Sequence, residues 1–442
     1  MTRLQPSDEN GWYWSYGDEP VLLLGGTDKD NLFQWTGERL RDHLDRLVDA
    51  GGNFVRNTMS DRKGEDVSPF EREADGTYDL ERWNDEYWDR LSAFLDETAE
   101  RDVVVELTLW DQHDFTHSRW GEHAWNPVNN ATLPVDSLPE TGGDHWQDRI
   151  AFFRTVEEAN DPVLTHQERF VDRVLDHTLE YGNVVYNVTN EGWAGIEWEL
   201  HWAERVLDRA REEGVHVEVA NMNLTPEDSV RKVVEHPETF SYVEVSQHNQ
   251  HYAGATGQGH WDNLREWRAE VADAIGPRPF NNVKIYGGFD GGNDAAGEAD
   301  DAVEWFWRNV FAGCAACRFH RQVAGGDEGW GMGGSDRALA QIRSVRLLED
   351  HLDLWDMRPR RDLLGGADHN EAYCIADPGE SYAVYFPAGG EVTLALEDGS
   401  YRCRYLDVEA TTWTESEQIE DVTQLSLSVP DGGHVVVVTA TS

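Results

Sequence analysis

The sequence predicts an α/β fold, a (β/α)8 TIM barrel joined to a C-terminal antiparallel β-sandwich, and three observations lead to it. Over roughly the first 350 residues, eight short apolar runs alternate with amphipathic stretches, as strands and helices do in such a barrel. Polar side chains follow six of these runs, which is typical of a functional rim at the strand ends. After about Pro359 the pattern changes to short strands separated by turn residues. We therefore expect a barrel catalytic domain over residues 1–358 and a sandwich domain over residues 359–442.

The predicted barrel strands are short runs rich in β-branched and aromatic residues. They lie at Val21–Leu24, Asn53–Arg56, Val103–Leu109, Val184–Thr189, Val215–Ala220, Tyr242–Ser246, Val283–Tyr286 and Ala315–Phe319. A doubly wound open sheet is the alternative fold, but the chain has no glycine-rich dinucleotide fingerprint to support it. The number and order of the strands therefore favour the barrel.

The last 70 or so residues carry the pattern of an antiparallel sandwich. Six runs read as strands, namely AYCIA, SYAVYFP, EVTLAL, YRCRYLD, LSLSV and HVVVVTA. The segments DPGE, AGGE, EDGS and PDGGH between them are rich in turn-forming residues. No long flexible linker precedes them, so the sandwich is expected to pack on the barrel.

The charge of the chain excludes some classes of partner. Acidic residues outnumber basic ones by 85 to 37, which gives a formal charge of −48. Binding to nucleic-acid phosphates or to an anionic membrane requires a basic surface, so neither is expected. Only four basic residues are Lys, and such an acid-rich, Lys-poor composition resembles that of proteins from salt-loving archaea, where molar salt screens the repulsion. The 19 Trp, 14 Tyr and 15 Phe indicate large packed cores rather than disorder.

The cysteines and the first residues of the chain indicate the cellular location that we expect for the protein. Four cysteines are too few for a disulfide framework, and the pair Cys314 and Cys317 lies in the apolar run FAGCAAC, where burial is the favoured interpretation. The first residues, MTRLQPSDENGW, contain no apolar signal segment, and no run of 18 apolar residues occurs. We therefore expect a cytoplasmic protein.

Residues with polar or aromatic side chains gather where the predicted strands end. Indole rings stack on the apolar faces of sugars, and amide, imidazole and charged groups bind their hydroxyls or anionic substituents. The predicted substrate-binding residues are Asp28, Asn57, Trp110, His113, Asn190, Trp193, His248, Asn249, Lys284, Tyr286, Arg318 and His320. A metal site built from Asp111, His113, His248, His251 and His320 is a weaker alternative, because the spacing of these residues does not match a metalloenzyme motif. We predict neither a metal nor a cofactor.

The segment VVYNVTNEGW is the most specific signal. It places Glu191 directly after the fourth predicted strand, preceded by Asn190 and followed by Gly192 and Trp193. Glycoside hydrolysis needs a carboxylic acid that protonates the leaving oxygen, and an apolar neighbour such as Trp193 would favour the protonated form. Asn190 is suited to bind a sugar hydroxyl. The alternative is that Glu191 caps the following helix.

The motif NVTNEGW resembles the acid/base motif of the clan A retaining glycoside hydrolases. The segments PVLLLGGT and GGNFVRN, with the sandwich, resemble the apiosidase-like branch, which pairs a barrel with a sandwich of the collagen-binding type. The resemblance implies that Asn190 and Glu191 match the family's Asn and acid/base Glu. Clan A enzymes carry their nucleophile Glu at the end of the seventh strand, where RPFNNVKIYGGFDGG contains no Glu. Asp290 and Asp111 are the leading candidates for the second carboxylate, with Asp28 and Asp114 behind them, and changed chemistry at the site is the other possibility.

The predicted function is a glycoside hydrolase that acts on an oligosaccharide or a glycoside, with Glu191 as general acid/base. Two alternatives remain open. One is a polysaccharide lyase on a uronate-containing sugar, with Tyr286 or His248 as base. The other is a non-catalytic carbohydrate-binding protein, which would lack a second carboxylate.

Overall fold

The computed structural model describes residues 2–17, 19–62, 64–115, 120–139, 151–192, 194–248, 258–288, 296–322, 330–414 and 416–441. It confirms the predicted barrel and the separate antiparallel C-terminal domain. The barrel strands are β1 (Leu23–Gly26), β2 (Phe54–Thr58), β3 (Val104–Asp111), β4 (Val184–Asn190), β5 (Val219–Ala220), β6 (Val243–Glu244), β7 (Phe280–Ile285) and β8 (Ala316–Phe319). They form one eight-stranded sheet in the order β5-β4-β3-β2-β1-β8-β7-β6.

A helix follows each barrel strand in the described chain. These helices are α1 (Gly37–Asp49), α2 (Asp85–Glu100), α3 (Asp161–Thr178), α4 (Ile196–Glu212), α5 (Pro226–Glu235), α6 (Gln258–Ile275), α7 (Ala299–Ala312) and α8 (Asp336–Glu349). The apolar positions of α4, such as Trp198, Trp202 and Val206, recur every three or four residues and are buried, as the amphipathic pattern predicts. Short strands at Leu4–Pro6, Trp14–Tyr16 and Glu19–Val21 precede the barrel, and the hairpin Phe70–Arg72 and Tyr78–Trp83 lies between β2 and α2.

The register of the parallel sheet sets which strand ends are neighbours. Between β3 and β4, Asp111 is opposite Asn190, so the last residues of these two strands are side by side. Between β8 and β1, Phe319 is opposite Gly26. Because parallel strands end on one side of the sheet, each pairing brings the polar residues that follow its strands together.

The C-terminal domain is antiparallel. Its strands are β9 (Arg358–Pro359), β10 (Leu364–Gly365), β11 (Tyr373–Asp377), β12 (Ser381–Phe386), β13 (Gly390–Asp407), β14 (Thr412–Trp413), β15 (Glu417–Val429) and β16 (His434–Ala440). They are ordered β9-β11-β12-β16-β13-β10, and β14 and β15 also pair with β13. Alternate side chains, such as Cys374, Ala376, Val436 and Val438, fill the core between the layers.

One prediction for this domain is wrong. The segment EDGS, expected to be a turn between two strands, lies within the single strand β13. Register shifts between Ala395 and Tyr401 keep β13 paired with β15 through the pair Gly399 and Val422. A bulge absorbs the glycine without ending the strand, so two predicted strands are one.

The described chain divides into two compact units. The first comprises Met1–Gln5, Asp30–Asp45 and Val55–Gln247, and the second comprises Pro6–Lys29, Arg46–Phe54 and His248–Ser442. No described helix is both long enough and apolar enough to cross a membrane.

Candidate active site

The turn after β4 holds Glu191 in an unusual backbone conformation. Its φ is 55°, in the left-handed region that costs a residue other than glycine about 1–2 kcal/mol. At Gly192, a Cβ would collide with Oγ1 of Thr189, so glycine is required there. The amide N–H of Gly192 donates to the carbonyl of Met222 at 2.8 Å. The backbone around Glu191 is therefore fixed by its neighbours rather than by its own preference.

The carboxyl of Glu191 is held at both oxygens. Nε2 of Gln247 donates to Oε1 at 2.9 Å, and Nε2 of His113 lies 2.8 Å from Oε2. The Glu191 side chain is 12% exposed and that of His113 is 45% exposed, whereas Gln247 is buried. The site thus presents a mostly buried carboxyl of defined orientation beside a half-exposed imidazole.

Asn190 is fixed just as firmly as its neighbour. Its Oδ1 accepts from Nη2 of Arg56 at 2.8 Å, and its Nδ2 donates to Oδ1 of Asp111 at 2.9 Å. All three side chains are buried. Because one partner is a donor and the other an acceptor, the orientation of the Asn190 amide is set.

Asp111 joins several parts of the first unit. Its Oδ1 also accepts from the backbone N–H of His113 at 3.0 Å, and its Oδ2 forms an ion pair with Nη2 of Arg62. Nε of Arg62 in turn bonds Oδ1 of Asp114 at 2.7 Å. Both oxygens of Asp111 are therefore engaged by protein groups.

A small cavity lies next to this network. Acidic and aromatic side chains line it, among them Asp61, Asp111, Asp114, His123, Trp110, Phe115 and Trp125. Burial, followed by the charge of Asp114, raises the pKa of Asp61 well above its usual range. Burial lowers the pKa of His123 to about 3. Burial thus favours the neutral form of both groups.

Two predicted binding residues of the first unit are engaged in packing. Trp110 is 2% exposed and lies among Phe152, Phe170 and Trp202, with ring centroids 5.3–5.4 Å away. Asn57 is fully buried, and its Oδ1 accepts from the backbone N–H of Phe33 at 3.0 Å. Both side chains are therefore buried and in contact with other protein groups.

The second unit contains six further predicted residues, namely Asp28, His248, Lys284, Tyr286, Arg318 and His320. Arg318 is fully buried, and its Nη1 donates to the carbonyl of Val283 at 2.8 Å. Oδ1 of Asp28 accepts from the N–H of Gly334 at 2.8 Å. Tyr286 and His320 contact each other, with centroids 4.8 Å apart.

His248 and Lys284 complete these six. The His248 ring stacks on that of His260, with ring centroids 4.1 Å apart and an interplanar angle of 9°. Burial lowers the pKa of His248 to about 4. Lys284 is 2% exposed. Three other residues that the sequence predicts lie outside the described residues, namely Asp290, Trp193 and Asn249.

Three residues outside the predicted set contribute to the network around Glu191. They are Gln247, Arg56 and Arg62. Gln247 directly precedes the predicted His248 in SQHNQH, so the sequence signal was present but pointed to the neighbouring side chain. Within the described residues, no group of three or more His, Cys, Asp or Glu has the geometry of a metal site.

Comparisons with known proteins give a family and a fold. The model of the family described as Domain of unknown function (DUF6298) matches residues 34–263, just over half of the chain. A comparison with curated protein sequences gives no match.

Solved structures resemble the whole chain at low identity. A glycoside hydrolase family 5 protein from Bacteroides vulgatus is 12% identical with a TM-score of 0.67, covering 99% of this chain and 94% of that one. A structure described as a glycoside hydrolase is 12% identical with a TM-score of 0.68, and the match covers 99% of this chain and 97% of that one. A glycoside hydrolase family 5 mannosidase from Rhizomucor miehei is 12% identical with a TM-score of 0.57, and the match covers 80% of this chain and 100% of that one. At this identity, the likeness shows a shared fold.

Proposed function

The chain belongs to the DUF6298 family, and we propose, from its fold and from the geometry around Glu191, that it is a glycoside hydrolase. The observation that carries the proposal is the placement of the Glu191 carboxyl, held between His113 and Gln247 directly after β4. The structural neighbours that are glycoside hydrolases support the same reaction class. The clan A resemblance of NVTNEGW adds to this support.

Glu191 acts as general acid/base in the proposed reaction. It donates a proton to the oxygen of the leaving sugar as a second carboxylate attacks the anomeric carbon and the glycosidic bond breaks. It then removes a proton from the water that displaces this carboxylate from the anomeric carbon. Its two hydrogen bonds orient the carboxyl, and its residual exposure leaves it accessible to substrate.

Asn190 binds a sugar hydroxyl next to the bond that is cleaved. The amide is already oriented by Arg56 and Asp111, so it loses little further freedom when the substrate binds. The half-exposed imidazole of His113 is placed to make a second polar contact with the same sugar.

The test is hydrolysis of aryl glycosides of glucose, mannose, galactose and xylose by the wild type and by Glu191→Gln. The variant keeps the shape of the side chain and its capacity for hydrogen bonding, but it cannot donate a carboxylic proton. We expect kcat to fall by ~10²–10⁴-fold, the usual contribution of general acid catalysis. Glu197→Gln, an exposed residue in the first turn of α4, is the matched control and should retain full activity.

The outcomes separate the possibilities. Activity of Glu191→Gln equal to that of Glu197→Gln would remove Glu191 from the mechanism. A wild type that binds oligosaccharides without hydrolysing them or any aryl glycoside would instead show a carbohydrate-binding protein.

A further inference from the structure

A buried ion pair lies on the helices behind the turn that carries Glu191. Glu199 on α4 is fully buried, and its Oε2 is paired with Nζ of Lys232 on α5, which is 7% exposed. Lys232 is one of only four lysines among 37 basic residues. Burying two charges costs free energy that the pair must recover through good geometry, so such pairs often serve a specific arrangement.

Asn223 connects this pair to the turn. Its Nδ2 donates to Oε1 of Glu199 at 3.0 Å and also lies 3.4 Å from the carbonyl oxygen of Gly192. Gly192 is the residue after Glu191, and it forms an isolated parallel bridge with Asn223. The amide of Asn223 therefore joins the buried carboxylate of Glu199 to the backbone next to Glu191.

A second contact holds the other side of the same turn. Nδ2 of Asn221 donates to Oδ1 of Asn223 at 3.0 Å, and Oδ1 of Asn221 accepts from Oγ1 of Thr189 at 2.8 Å. The hydrogen bonds thus run from Lys232 through Glu199, Asn223 and Asn221 to Thr189. Both residues that flank the pair Asn190 and Glu191 are tied to this network.

The charge of Lys232 matters to the network because Glu199 is buried. Burial raises the pKa of the Glu199 carboxyl, and the Lys232 ammonium opposes that rise. An ionised Glu199 accepts more strongly from Asn223 than a neutral one does. Lys232 therefore acts on the link to Gly192 through Glu199 and Asn223.

We propose that Lys232, Glu199 and Asn223 are positioning residues that keep Glu191 in its left-handed conformation, with its carboxyl between His113 and Gln247. The inference rests on the acid/base role proposed for Glu191. Without the network, Glu191 relaxes toward ordinary φ values, because a strained conformation persists only where the surrounding structure holds it. Its carboxyl then leaves the place from which it protonates the leaving group.

Crystal structures of Asn223→Ala, Lys232→Met and Arg231→Met test the geometry without requiring a substrate. Asn223→Ala removes the bridging amide and keeps the ion pair. Arg231→Met is the matched control, because Arg231 is exposed on the same helix and pairs with Asp228 and Glu235. We expect the 2.8 Å contact between His113 and Glu191 to be lost in the first two variants and kept in the control.

Kinetics on two leaving groups separate positioning from general damage to the fold. Phenyl glycosides need protonation of the leaving oxygen, whereas 2,4-dinitrophenyl glycosides need almost none. We expect Asn223→Ala and Lys232→Met to lose at least about tenfold in kcat/KM on the phenyl glycoside and far less in kcat/KM on the dinitrophenyl glycoside. The ratio kcat/KM reports the step in which the leaving group departs and does not include the later attack of water.

Each result decides the matter. If the two variants keep the Glu191 contacts in the crystal, or lose kcat/KM equally on both leaving groups, the positioning role is overturned. If Lys232→Met does not fold, Asn223→Ala still decides, since its ion pair is intact. A wild type without glycosidase activity defeats the proposed function, while the crystal structures still test the network.

Discussion

Nε2 of His113 lies 2.8 Å from Oε2 of Glu191, so a residue just beyond the end of β3 contacts the carboxyl that follows β4. The backbone N–H of the same histidine donates to Asp111, which also accepts from Asn190. The last residue of β3 and the residue two positions later therefore contact the two residues of the Asn-Glu motif. This arrangement makes the orientation of Glu191 depend on His113.

Replacing His113 should lower activity. His113→Ala removes the ring nitrogen that lies 2.8 Å from Oε2 of Glu191, so the carboxyl is held less firmly in the place from which it acts. We expect kcat/KM to fall by about tenfold. Steady-state kinetics on an aryl glycoside is the measurement.

The matched control is His216→Ala. His216 makes an equivalent 2.8 Å contact with Glu218 but is 72% exposed. It should leave kcat/KM unchanged. A His113→Ala variant with the kcat/KM of the wild type would show that the contact has no role in catalysis.

The sequence predicted the barrel, the position of Glu191 after its fourth strand and the neighbouring Asn190, because buried strands and the residues that end them leave a clear pattern. It did not predict which polar residues face inward. Arg318 lies within β8 and Asn57 within β2, and both are fully buried and bonded to backbone groups. Polar residues occur both within these strands and just after them, so the sequence pattern alone does not separate the two positions.

The partner of Glu191 illustrates the same limit. Gln247 and His248 are adjacent, and successive side chains near a strand end point in different directions. Gln247 bonds Glu191, whereas His248 stacks on His260. A shift of one residue changes which side chain contacts Glu191, and a pattern of polar residues does not resolve that shift.

Azide rescue should distinguish the two candidates for the second carboxylate. Both oxygens of Asp111 are already engaged by Asn190, the His113 N–H and Arg62. We therefore expect Asp111→Ala to lose activity without rescue, because it disturbs Asn190 rather than removing a nucleophile. We expect azide to restore turnover to Asp290→Ala, with a glycosyl azide as product, if the enzyme is retaining.

The control for this experiment is Glu191→Ala, for which azide attacks the glycosyl-enzyme intermediate in place of water, displaces the enzyme carboxylate and needs no base. Its glycosyl azide should have the anomeric configuration opposite to that from the nucleophile variant. Rescue of Asp111→Ala instead of Asp290→Ala would assign the nucleophile to Asp111.

His123 should make the fold sensitive to acid. Burial lowers its pKa to about 3 in the folded protein, compared with about 6.5 when unfolded. Asp61, 3.9 Å away, has its own pKa raised by burial and so supplies little compensating charge. The unfolded chain binds a proton at His123 below about pH 6.5 and the folded chain does not, so stability is full above that pH and is lost as the pH falls.

We expect this one group to lower the free energy of unfolding by about 1.4 kcal/mol for each pH unit between about 6 and 4. His123→Asn keeps an acceptor for the backbone N–H of Trp125 and removes the titration. The difference in free energy of unfolding between wild type and variant, measured by urea unfolding, should therefore shrink as the pH falls. A difference that stays constant with pH would show that His123 is not the titrating group.

The acidic surface should make the protein depend on salt for stability. A formal charge of −48 repels itself at low ionic strength, and the Debye length falls from about 10 Å at 0.1 M to about 3 Å at 1 M. Folding brings these charges closer together, so screening favours the folded state. We expect the melting temperature to rise steeply with KCl up to about 2 M, far more than it rises in an uncharged osmolyte such as sucrose. If sucrose and KCl raise the melting temperature equally, exclusion of solute from the protein surface accounts for the rise. Screening of the negative charge then makes no special contribution to stability.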